Sequence, residues 1–324
     1  MSKTSWKSLK EGYVESLNYM KGRMEGKISS FKTPWPKFND AGADGIEWNS
    51  TIVIGGRPGT GKTLIKDQII RESFKRNPSD QFRVLEFQFE MVARTSALRE
   101  FSSVIGRSYK YMCSASGKMS AEDLSKCYEY AKIRKDMPID IVDEPCTVSQ
   151  FKETVHKYMQ QYSVEGKPVK TIVTLDHSIL LKKDAHESSK MDTIYNLGEA
   201  VTELKRKYPI IFIILSQLNR DVERIDRQED GKYGNYILSS DFFGADALLQ
   251  HADIQIGLNR PANQKIRFYG PDRYIIEDDR VLVLHFLKCR NGDTRMSFFK
   301  THFEKMSMEE MQTPAQQEFK KKNG

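Results

Sequence analysis

Cysteine is scarce in this chain, and a long apolar run is missing. Only four cysteines occur in 324 residues, Cys113, Cys127, Cys146 and Cys289, and no two share a metal-ligand spacing. That argues against a zinc scaffold or a disulfide framework and points to reduced thiols in a cytoplasmic protein. No segment approaches the eighteen or so apolar residues of a membrane-crossing helix, so no membrane partner is expected. Met1 to Lys10 carries lysines with no apolar stretch behind them and does not read as a secretory signal. Internal repeats and long low-complexity tracts are also lacking.

Charge is plentiful. Lysine and arginine number 51 against 44 acidic residues, a net charge of +7. A balance of that sign suits a polyanionic partner such as nucleic acid. With 39% hydrophobic residues, the chain can build one large α/β domain with small appendages, or two modest domains.

The most informative stretch is Gly56-Arg57-Pro58-Gly59-Thr60-Gly61-Lys62-Thr63. It fits G-x-x-x-x-G-K-[ST], a phosphate-binding loop. Glycines let backbone N–H groups close on phosphate oxygens. Lys62 supplies a compact cation for the β- and γ-phosphates, and Thr63 offers a hydroxyl to Mg²⁺. Thr51–Ile54 ahead of the loop reads as a strand, and Thr63 to Phe74 after it reads as a helix whose N-terminus favours anions.

Further strands alternate with helices, which predicts a mostly parallel sheet with ligands at the C-terminal strand ends. The strand expected over 82–91 places Leu85, Phe87, Phe89 and Met91 on one face and Glu86, Gln88 and Glu90 on the other. Glu90 reads either as a carboxylate that polarises an attacking water or as a solvent-facing or helix-capping residue. The strand 171–176 ends in Asp176, where a carboxylate holds Mg²⁺ through its water shell. His177 follows and receives no role. The apolar strand 210–215 leads into Ser216-Gln217-Leu218-Asn219-Arg220. Gln217 reads as a γ-phosphate sensor or as a turn amide. The strand 281–287 leads into Lys288-Cys289-Arg290-Asn291-Gly292, either a charged hairpin tip or an arginine finger. Trp6, Leu9, Tyr13, Leu17 and Met20 recur at helical spacing and predict a helix outside the main core.

These pieces in this order, GGRPGTGKT, VLEFQFEM, IVTLDH, LSQLNR, LLQHAD and KCRNG, resemble the RecA-like motor domain of DnaB-type replicative helicases. The resemblance implies an α/β phosphate-loop core with a mostly parallel central sheet flanked by helices, plus an N-terminal linker-type helix. It implies ATP and Mg²⁺ as cofactors, single-stranded DNA as a partner and a homo-oligomer, a hexamer, with a primase or loader as a further partner. Lys62, Thr63, Glu90, Asp176 and Gln217 match the family's phosphate, magnesium, catalytic, second magnesium and γ-phosphate positions. Arg290, with Lys288, matches the finger that enters the next subunit's site. Residues 1–30 are expected to form the subunit-docking helix, 31–305 the motor and 306–324 a flexible tail.

Two departures stand out. The family's separate N-terminal helical domain has no counterpart here. Its charged DNA-facing loop is replaced by Ser240-Asp241-Phe242-Phe243-Gly244-Ala245-Asp246. The expected DNA contacts are therefore Lys182, Lys183, Arg220, Arg224 and backbone N–H groups around Gly244, with Lys190 and Arg227 adding to the basic loops. Base stacking on the paired phenylalanines is weighed against a place in the core, and the polar insertion 261–279 receives no role. The competing reading is a RecA-type ATPase that assembles on DNA or protein without unwinding.

Overall fold

A computed structural model describes residues 6–224, 227 and 236–316. The helices are α1 (Leu9–Met24), α2 (Pro36–Ala41), α3 (Lys62–Arg76), α4 (Ala93–Ile105), α5 (Tyr109–Met112), α6 (Ala121–Arg134), α7 (Val148–Gln161), α8 (Lys190–Lys207) and α9 (Ala245–Leu249). The strands are β1 (Thr51–Gly56), β2 (Phe82–Gln88), β3 (Ile139–Val142), β4 (Lys170–Asp176), β5 (Ile210–Gln217), β6 (Ile254–Asn259), β7 (Phe268–Tyr269), β8 (Tyr274–Ile275), β9 (Val281–Cys289), β10 (Arg295–His302) and β11 (Ser307–Glu310).

Nine strands form one sheet in the order β11-β10-β9-β6-β1-β5-β4-β2-β3. The six from β6 to β3 run parallel, and β9, β10 and β11 add antiparallel to that edge. The apolar run of β5 explains its central place, because a strand covered on both faces has no polar side to show. Phe212 and Ile214 pack with Phe151 of α7 and Leu197 and Val201 of α8. Ile211, Ile213 and Leu215 face the other way, toward Leu64, Ile65 and Ile69 of α3. Each such fully buried side chain contributes roughly 1.5–3 kcal/mol.

The register brings strand ends together. Gly56 pairs with Gln217, and Gln88 pairs with Asp176. The expected second strand is shorter than its alternation implied. It stops at Gln88, level with the end of β4, and Phe89 N–H still donates to the Asp176 carbonyl at 2.9 Å. Glu90 is thereby freed from the sheet.

The sheet also continues past the motor boundary expected at residue 305. β11 pairs with β10, and Met308 is buried against α3, where Gln68 donates to its carbonyl and accepts from its N–H. Only one apolar residue marks this strand, so no periodicity announced it. The insertion 261–279 carries the β7–β8 hairpin, and its Ile266 and Tyr269 form a small satellite core with Val281, Val283 and Phe298.

Helix α1 stands apart. A Ser8–Glu11 capping box starts it. Its last turn is tied to the body by Arg23, which donates to Ser30 Oγ and the Ala43 carbonyl, and by Tyr19, which donates to Glu47. Trp6, Leu9, Tyr13, Leu17 and Met20 all remain exposed.

Candidate functional site

The phosphate loop is shaped by its glycines. Gly59 and Gly61 take φ of 76° and 100°, left-handed values that other residues adopt at a cost. A Cβ on Gly56 would lie 2.3 Å from Thr60 Oγ1, which itself donates to the Arg57 carbonyl. Lys62 bends back over the loop, donating to the carbonyls of Gly56 (2.7 Å) and Arg57 (3.2 Å). Burial pulls the Lys62 ammonium below its usual range, while the charges of Asp176 and Glu90 act to keep it protonated.

Lys62 and Thr63 line a cleft of about 790 Å³ together with Pro58, Gly59, Gly61, Glu90 and Gln217. Separate strand ends thus deliver the residue types singled out in the sequence to one place. Asp176 lies just behind, nearly fully buried, and its Oδ1 has no hydrogen-bond partner. A buried carboxylate oxygen without a donor is ready for a cation or its water shell. With the Thr63 hydroxyl beside the loop, the residues fit Mg²⁺. Among the described residues no group of three or more His, Cys, Asp or Glu side chains could hold a metal alone, so phosphate oxygens and water would have to complete its shell.

His177, given no role in the sequence, lines the same cleft. Its Nδ1 is buried without a partner, and burial lowers its pKa, favouring neutral imidazole. Tyr109, Phe303 and Met306 also border the cleft. They come from short or late elements, and no local pattern in the sequence marks them. Phe303 closes on the loop: a Cβ on Gly61 would sit 3.3 Å from its ring.

The loop after β5 is bonded to the site. Arg57 forks onto Glu223 with two 2.9 Å bonds and donates to the Leu218 carbonyl at 3.1 Å. Phe243 N–H donates to the Gln217 carbonyl, and Asn219 N–H to the Asp241 carbonyl. Here the expectations need correction. Phe242 is core: it is 1% exposed and lies against Gly55, where a Cβ would meet its ring at 2.3 Å. It cannot stack bases. Gly244 is buried with φ 67°, and a Cβ there would sit 3.1 Å from Ile194. Packing and backbone geometry account for the glycine itself. Arg227 forks onto Asp241 (2.5 and 2.9 Å), Lys190 donates to the Leu181 carbonyl, and Lys183 donates to the Ser188 carbonyl at 3.2 Å. Lys182, Lys183, Arg220 and Arg224 are exposed.

Arg290 and Lys288 lie elsewhere. β9 runs antiparallel to β6, so Cys289 pairs with Ile254 while Leu284 pairs with Leu258. Leu258 stands level with Gly56, and Ile254 with Ile52. Arg290 therefore sits at the end of the sheet opposite the phosphate loop, about 17 Å away at roughly 3.3 Å per strand residue. Its guanidinium is 57% exposed and reaches Asp253 Oδ1 at 3.1 Å. Lys288 donates to the Leu249 carbonyl at 2.9 Å.

Comparisons with known proteins agree with this architecture. The family model for the DnaB-like helicase C terminal domain matches residues 32–309. Among solved structures, one ATPase domain is 18% identical with a TM-score of 0.79, covering 95% of this chain and 100% of that one. A DnaB-like replicative helicase, described with its interactions with primase, is 19% identical with a TM-score of 0.76, covering 95% of this chain and 68% of that one. No curated protein sequence matches the chain. Among the described residues, no helix is long and apolar enough to cross a membrane.

Proposed function

The chain belongs to the DnaB-like helicase C-terminal domain family, and from that premise we propose that it is a cytoplasmic, ATP-driven motor that moves along single-stranded DNA as a hexameric ring. Residues from 31 onward form the motor, with the sheet closed by β11, and residues 1–30 dock on the neighbouring subunit. A primase or a loader is the further partner, in line with the primase interaction described for one structural neighbour.

The observation that carries the ring reading is the placement of Arg290. An exposed guanidinium at the far end of the sheet cannot reach its own cleft, and the ring reading gives it a target in another copy's. The exposed stripe on α1 supports the same reading, because an apolar surface that covers nothing in its own chain needs a partner.

Within the cleft, backbone N–H groups of residues 59–63 and the Lys62 ammonium hold the β- and γ-phosphates. Bound Mg²⁺ supplies charge neutralisation at those oxygens. Glu90, released from the sheet beyond Gln88, accepts a hydrogen bond from the water that attacks the γ-phosphorus. The Gln217 amide senses the γ-phosphate. Because the Gln217 carbonyl also accepts the Phe243 N–H, and Phe242 rests on Gly55, loss of the γ-phosphate is transmitted to Phe242 and Phe243. Lys182, Lys183, Arg220 and Arg224 supply cations for the DNA backbone.

Strand displacement on a forked duplex tests the reading. ATP should drive release of the displaced strand, and a non-hydrolysable analogue should not. DNA-dependent ATP turnover without displacement would favour an ATPase that assembles on DNA without unwinding it.

A further inference from the structure

Asp253 lies just before β6 at the base of the sheet and is the point where several groups meet. Its N–H donates to the Thr51 carbonyl and its Oδ2 accepts the Thr51 N–H, both at 2.8 Å. Lys205 of α8 donates to the same Oδ2. The Asp253 carbonyl accepts the Arg290 N–H at 2.9 Å, and its Oδ1 faces the Arg290 guanidinium at 3.1 Å. Asp253 therefore holds Arg290 at both backbone and side chain. The carboxylate is only 13% exposed, whereas the guanidinium it grips is 57% exposed. A fixed anchor holds an arm that reaches outward.

We infer that Asp253 is the positioning residue of the arginine finger: it orients the Arg290 guanidinium for the neighbouring subunit's γ-phosphate. A free arginine on a turn explores many rotamers, and each must be frozen out when the transition state forms. An anchor at Oδ1 removes part of that search beforehand and leaves the other guanidinium nitrogens for phosphate. Lys205 contributes by neutralising Oδ2, which limits how tightly the carboxylate competes for the guanidinium. The inference rests on the reading of Arg290 as a finger acting in trans.

Asp253→Asn tests it, since an amide oxygen still accepts the Thr51 N–H while the charge that steers Arg290 is gone. ATP turnover should fall by up to about 10²-fold, the cost of misplacing a reacting group by about 1 Å, with nucleotide affinity unchanged. Subunit mixing then locates the defect. After exchange with Lys62→Ala, which has an intact finger, activity should be partly restored. After exchange with Arg290→Ala, which lacks one, it should not. The double variant Asp253→Asn, Lys205→Met leaves no buried cation without its carboxylate and should show the same pattern. A parental rate, lost nucleotide binding, or rescue by both partners or by neither would overturn the inference, given rescue between Lys62→Ala and Arg290→Ala. Failure of that last pair would instead overturn the trans finger itself.

Discussion

Glu90 is the residue on which the proposed reading makes turnover depend, and its position follows from where β2 ends. Gln88 is the last residue of β2, Phe89 adds one more N–H bond to β4, and at the next position the carboxylate faces the cleft with Lys62 and Gln217. Glu90→Gln keeps the shape and removes the charge that polarises water. It should bind ATP like the parent and turn over about 10²–10⁴-fold more slowly, the contribution of a positioned general base. Nucleotide affinity by titration and single-turnover rates check this. Weakened affinity with turnover retained per bound nucleotide would move the base elsewhere. At this scale the sequence was most legible where a covalent pattern enforces geometry. The loop glycines, Lys62 and Thr63 are read off directly because only those types permit the backbone path and the charge. His177 and Phe303 were not legible, since each reaches the cleft through the fold and neither belongs to a spacing pattern.

At the scale of elements, α1 shows both the strength and the limit of periodicity. Leu9, Tyr13 and Leu17 at intervals of four predict a helix with one apolar stripe, and the helix is there from Leu9 to Met24. Periodicity does not say what the stripe covers, and among the described residues it is left exposed: Leu17 is 64% exposed. Docking on a second copy gives Leu17→Asp a specific outcome. The folded monomer should keep its thermal stability, because no core contact is lost, while assembly shifts to higher protein concentration. Mass distributions at matched concentrations check it, and unchanged assembly would show that the stripe is not an interface. The parallel strands were legible from their apolar runs, as both faces of the sheet are covered. β11 and the β7–β8 hairpin were not. Ser307–Glu310 owes its place to edge pairing with β10 and to Met308, a single apolar anchor in polar sequence, and the hairpin to Ile266 and Tyr269, whose short apolar strands are split by Gly270–Arg273 and too brief to show a period. The double phenylalanine misled in part for a related reason: composition allows stacking, but only the fold shows that Phe242 fills the space above Gly55.

For the whole molecule, what matters is that the phosphate-loop cleft and the proposed finger, Arg290, sit at opposite ends of one sheet. The cleft lies beyond the C-terminal ends of β1, β2, β4 and β5, while Arg290 leaves the opposite end beside Asp253 and Thr51. A guanidinium aimed at a transferring phosphoryl group is worth about 10³–10⁵ in rate, so a lone chain should hydrolyse ATP poorly and an assembled one well. On the proposed reading, hydrolysis takes place at the junction between subunits, where one DNA-facing loop must move relative to the next. Mixing Lys62→Ala with Arg290→Ala tests this most directly. Each should be inactive alone, the first for want of the phosphate-binding cation and the second for want of the finger. After subunit exchange, an intact loop from the Arg290→Ala chain meets an intact finger from the Lys62→Ala chain, and ATP turnover should rise to a maximum at intermediate ratios. A rate that stays at the level of the two parents at every ratio, with exchange confirmed, would contradict a site completed between subunits.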